Sequence, residues 1–149
     1  MKPRKQNVKS RTWLRIAAAL LALFAVMHTI GNVTDNQPPG SEKVLAAMRN
    51  FHFDAMGSDR TPWDFFRGLG LLVSADLAIL TALTWQMGNL SETDPRRARP
   101  FVMTLMAANI LICALSWIYF FIAPVVLSGL TVLCLGAAAL TLRREGASG

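Results

Sequence analysis

The sequence predicts an all-α integral membrane protein: a four-helix bundle with a short amphipathic helix in the outer loop between helices 1 and 2. Three observations carry that expectation. The 149-residue chain is 53% hydrophobic and has a mean hydropathy of +0.39, high for a soluble single domain. Charge is segregated, with six Lys or Arg between Met1 and Arg15 and none over long internal stretches. Those stretches reach the roughly 20 apolar residues that cross about 30 Å of hydrocarbon.

The first span is expected at residues 12–31. A basic flank precedes it, as in a signal peptide, but no A-x-A cleavage site follows, so a retained span is expected. An outer loop occupies residues 32–61. Its start, Asn32 to Gly40, is rich in turn formers. From Ser41 a short amphipathic helix is expected, because Val44, Ala47, Met48 and Phe51 follow the i, i+3, i+4, i+7 pattern. Such a helix lies on the membrane surface or caps a bundle. Gly57-Ser58-Asp59-Arg60 reads as a turn that closes this loop.

The second span is expected at residues 62–86. Thr61-Pro62-Trp63-Asp64 supplies an N-cap, a proline at the first helical position and an acid at the third. Trp63 suits the membrane interface. Phe101 to Leu142 is one apolar tract of 42 residues, too long for one crossing. Pro124 opens helices well and disfavours helix in the residue before it, so the tract is divided into spans at 101–122 and 124–142. The whole chain reads as a single four-span domain.

Orientation follows from the basic residues. Met1–Arg15 with its six, Arg96, Arg97 and Arg99 in the second connection, and Arg143 and Arg144 after the last span all fall on one side. The other side holds Lys43, Arg49, Arg60 and Arg67, offset by Asp35, Glu42, Asp54, Asp59 and Asp64. Both termini are therefore expected in the cytoplasm. The net charge of +6 is not read as nucleic-acid binding, because the basic residues flank apolar segments instead of forming a stripe with aromatics. Cys113 and Cys134 lie in apolar runs without CxxC or Cys/His spacing and read as small core residues. No metal site and no cofactor are expected, since no GxGxxG, P-loop, HExxH or nucleophile-elbow pattern is present.

Several segments together resemble a functionally uncharacterised family of small four-transmembrane-helix bacterial membrane proteins. They are His28-Thr-Ile-Gly31, Ala47-Met48, Phe53-Asp54-Ala-Met56-Gly57, Arg60-Thr61-Pro-Trp-Asp64-Phe65-Phe-Arg-Gly68-Leu-Gly70, and Ser116-Trp117-Ile-Tyr119-Phe120-Phe121 with Pro124. The likeness covers nearly the whole chain and is most specific from Met56 to Gly70. It implies a bacterial cytoplasmic (inner) membrane and four spans, but no reaction, ligand or catalytic residue.

Two polar layers are candidates for chemistry. At about 1.5 Å of rise per residue, His28 lies roughly 5 Å inside the outer boundary. Asp64, Arg67, Trp117 and Tyr119 are expected at a similar level, forming a candidate ligand-binding layer beneath the loop helix. A histidine oriented by a carboxylate suits acid–base work. The plainer alternative is that His28 and Asp64 tie the loop to the bundle and Asp64 caps its helix. Deeper, Asp76 is expected near the midplane, at the level of Asn109 and Thr131. An intramembrane carboxylate is costly and by default a functional hypothesis. Its alternative is a neutral Asp76 bonded to Asn109 between helices.

Three functions follow. The first is a non-catalytic binder of a lipid-like or apolar ligand, or of a membrane-protein partner, through the outer cap. The second is a small membrane enzyme using His28 with Asp64. The third is a proton-coupled carrier working through Asp76, which would need an oligomer for room and lacks paired broken helices.

Overall fold

The computed structural model describes residues 8–34 and 38–147. It is all-α apart from one small hairpin. The elements are α1 (Val8–Val33), α2 (Glu42–Asn50), β1 (Phe53–Ala55), β2 (Ser58–Arg60), α3 (Pro62–Thr93), α4 (Pro95–Tyr119) and α5 (Ile122–Ala147). Four of these helices are long and apolar enough to cross a membrane. The chain divides into two compact units, Met1–Phe24 with Leu77–Gly149, and Ala25–Asp76.

In the larger unit, the core is Leu14 and Ala17 of α1, Ala98, Val102 and Leu105 of α4, and Cys134, Leu135, Ala138 and Leu142 of α5. Small residues permit the close approaches. Gly136 lies against the Met106 sulfur and Gly129 against the Cys113 sulfur, which registers α4 antiparallel to α5. Polar groups bind α1 to α3 in this unit. Arg11 donates to Glu92 at 2.7 Å, and Arg15 donates to Asn89 at 2.7 Å while its guanidinium stacks 3.2 Å from the Trp85 ring centroid.

The helices run longer than hydropathy alone indicates. α1 starts four residues before position 12 and α3 continues past Gln86 to Thr93, because polar ends of a helix can extend beyond the hydrocarbon. α4 begins at Pro95, where the Asp94 side chain accepts from the Arg97 N–H at 3.1 Å, an N-cap followed by proline at N1. Pro100 falls within α4. The break between α4 and α5 comes at Phe120 and Phe121, not at Ala123-Pro124. Phe120 is extended, with φ −123° and ψ −167°. Pro124 sits instead in the first turn of α5, where its missing N–H has no intrahelical partner to lose.

In the smaller unit, the stretch read as a closing turn forms a two-stranded hairpin. Phe53 pairs with Arg60, Asp54 with Asp59 and Ala55 with Ser58. Met56 and Gly57 make its two-residue loop with φ of 56° and 87°, the geometry that favours hairpin turns with positive φ at both positions. Asp54 and Asp59 face each other across the ladder, a like-charge pair that would destabilise it. Each has a local partner: Asp54 accepts from the Gly57 N–H at 2.6 Å, and Asp59 meets His52 at 3.0 Å.

Candidate ligand-binding surface

The smaller unit is organised around the first turn of α3. The Asp64 carboxylate accepts from both the Thr61 N–H and the Thr61 hydroxyl at 2.9 Å. The Asp64 N–H in turn donates to the Thr61 hydroxyl at 3.2 Å. This is a reciprocal capping box with aspartate in the place of the usual glutamate. It draws Asp64 into holding the helix start, as the plainer of the two alternatives for that residue describes.

Two further bonds tie α1 to α3 here. His28 Nδ1 lies 3.1 Å from the Ser74 hydroxyl, and the Asn32 amide donates to the Arg67 carbonyl at 3.3 Å. Asn32 packs flat against Gly70. A Cβ at position 70 would stand 2.6 Å from the Asn32 Cγ and 2.8 Å from its Nδ2, so only glycine admits this approach.

Above these bonds lies a surface of rings and guanidinium groups. Phe51, Phe53 and Phe65 stack in series, with centroids 6.2 Å and 5.7 Å apart, so residues from the loop, the hairpin and α3 share one aromatic run. Trp63 stacks on Phe66 at 5.6 Å. The Arg49 guanidinium lies 4.5 Å from the Trp63 ring and that of Arg67 lies 6.0 Å from it. Phe51, Phe65 and Phe66 remain exposed. No residue of α2 is buried; Leu45 and Met48 are half-buried, while Val44, Ala47 and Phe51 of the expected apolar face are exposed. Met56 at the hairpin tip is fully exposed. Such a surface combines apolar area with two cations held over an aromatic ring.

The remaining candidate residues are distributed as follows. His28, Asp64 and Arg67 belong to this unit, whereas Trp117 and Tyr119 belong to the other, exposed at the end of α4. Asp76 ends the smaller unit and is exposed. Asn109 and Thr131 are buried in the larger unit, and each turns back on its own helix. Asn109 donates to the Leu105 carbonyl at 2.9 Å and Thr131 to the Leu127 carbonyl at 2.8 Å. The Asn109 side-chain oxygen is buried without a hydrogen-bond partner. Among the described residues no group of three or more His, Cys, Asp or Glu gathers to hold a metal.

Sequence reasoning placed Trp63 at an interface but missed Arg49 and Phe53 as parts of this surface. The spacing of Phe51, Phe53 and Phe65 has no single period, since the three belong to different elements. The class of protein that emerges is a multi-pass membrane protein with a small aromatic cap. Comparison of the chain with protein families, curated proteins and solved structures finds no match.

Proposed function

We propose that this protein is a non-catalytic binder in a bacterial inner membrane, with both termini in the cytoplasm and the aromatic cap facing outward, and that the cap takes a lipid-like amphiphile. The observations that carry this reading are the stack of Phe51, Phe53 and Phe65 and the Trp63 ring flanked by the Arg49 and Arg67 guanidinium groups. Rings offer apolar contact to an acyl chain, and guanidinium groups pair with an anionic head group through charge-assisted hydrogen bonds. The exposed apolar side of α2 supports placement at the membrane surface. The basic residues clustered at the opposite ends of the helices support the orientation.

An enzyme built on His28 and Asp64 is less favoured, because the Asp64 carboxylate is engaged by two donors from Thr61. The binder reading is tested by purifying the protein in mild detergent and identifying bound lipids by native mass spectrometry. Retention of an anionic lipid by the wild type, and its loss from Arg49→Ala and Trp63→Ala, is the expected result. Equal lipid retention in all three proteins would refute the assignment of the cap as the site.

A further inference from the structure

In the larger unit, the end where α1 and α4 begin and α3 and α5 finish is strongly basic. From Val8 onward it carries eight Lys or Arg against Glu92, Asp94 and Glu145. Two of those carboxylates are already engaged, Glu92 with Arg11 at 2.7 Å and Asp94 with Arg97 at 3.2 Å. Arg15 and Arg99 are held differently, with no carboxylate bonded to either among the described residues.

Arg15 is fixed by its bond to the neutral Asn89 at 2.7 Å and by the Trp85 ring at 3.2 Å. Its Nη1 is buried without a hydrogen-bond partner. Arg99 is half-buried, and its Nε is likewise buried and unpartnered. The two terminal nitrogens of Arg99 are not enclosed and bond no described residue. The residues just before these arginines, Leu14 and Ala98, belong to one buried core, so both guanidinium groups are anchored at the same packed region. Neither charge serves the fold. A partly buried cation without a counter-charge is costly, and Arg99 near the start of α4 also meets the positive end of its helix dipole. We infer that Arg15 and Arg99 hold the phosphate of an anionic phospholipid in the leaflet at this end. Arg99 supplies the donors and Arg15 a second fixed charge.

Three features select this ligand. The planar fork of an arginine matches two phosphate oxygens at once, and burial of Nε fixes the plane of the Arg99 fork before a ligand arrives. Arg99 lies four residues past Pro95, about 6 Å into the helix, at the level of head groups. Phe101, two residues further on, is 57% exposed and offers a ring to an acyl chain. The surplus of cations favours a lipid with net negative charge, because a zwitterionic head group brings its own ammonium into the same field. This site lies wholly in the larger unit and does not depend on what the aromatic cap binds.

The test uses full-length protein carrying Arg49→Ala and Trp63→Ala, so that the cap does not contribute. It is held in non-ionic detergent with equimolar phosphatidylglycerol and phosphatidylcholine, and bound lipid is counted by native mass spectrometry. The protein should retain phosphatidylglycerol in preference to phosphatidylcholine. Adding Arg99→Gln should lower that retention about tenfold, the scale of one hydrogen bond to a charged group. Because Arg99 bonds no described residue, its replacement removes no contact of the fold. Two charge-conserving variants separate geometry from net charge. Arg99→Lys loses the fork and should lower retention about threefold, whereas Arg97→Lys should leave it unchanged. Equal effects of lysine at 97 and 99, or equal retention of the two lipids, would overturn the inference. Inorganic phosphate at the lipid's concentration should not displace phosphatidylglycerol; if it does, the site takes free phosphate and the lipid assignment is overturned.

Discussion

Gly68 and Gly70 lie two residues apart on α3, and the structure assigns opposite signs to the same substitution at each. At Gly70 an added Cβ would stand 2.6 Å from the Asn32 Cγ. Asn32 would have to swing away, losing its bond to the Arg67 carbonyl at 3.3 Å. A lost hydrogen bond costs about 0.5–1.5 kcal/mol, and forcing an extra carbon into a filled contact costs about 1–3 kcal/mol. Alanine in a helix interior returns about 1 kcal/mol relative to glycine. Gly70→Ala should therefore destabilise the protein by about 0.5–3.5 kcal/mol once these effects offset one another. At Gly68 nothing lies within 4 Å of the added carbon, so Gly68→Ala should stabilise by about 0.5–1 kcal/mol. Equilibrium unfolding in mixed micelles measures both. Adding Asn32→Ala to Gly70→Ala should remove the clash and bring the double variant back to at least the stability of Asn32→Ala alone. If Gly70→Ala were as stabilising as Gly68→Ala, the packing of Asn32 on Gly70 would be refuted.

Other substitutions test other parts of the structure. Asp64→Ala removes the acceptor of two Thr61 donors and should cost about 1 kcal/mol, with faster proteolysis of the cap as a second readout. Met56→Gly relieves a left-handed residue at φ 56° whose side chain is fully exposed. Hairpin amides from Phe53 to Arg60 should then exchange a few-fold more slowly, the strain relief of about 1–2 kcal/mol being partly offset by the greater entropy glycine loses. Asn109→Leu replaces a buried side-chain oxygen that lacks a partner. Stability should hold or rise by up to about 1 kcal/mol, and a loss larger than that would mean the oxygen is bonded in the membrane.

Local features of the chain were legible without tertiary information. The Thr61-Pro62-Trp63-Asp64 sequence announced the start of α3 because capping acts over three residues, and the observed bonds are of that kind. Four apolar stretches announced four long helices because the thickness of hydrocarbon sets a minimum length. The division of the last apolar tract was placed a few residues late. A proline is tolerated through the first helical turn, so Pro124 marks the neighbourhood of the break without marking its residue.

What the sequence by itself determined, then, is the class of fold and the caps, both products of composition and of interactions within a few residues. The tertiary structure decided which way each side chain points. It set Asn109 and Thr131 against their own helix carbonyls, joined His28 to Ser74 across 46 residues, gathered Phe51, Phe53 and Phe65 into one stack, and left Asp76 on an exposed face. The physical reason is that all four spans are apolar nearly all round. The hydropathy of such a helix sets its depth and length but not its rotation about its own axis. That rotation is chosen by small residues and polar contacts on neighbouring helices, as at Gly70 against Asn32, and these belong to distant parts of the chain.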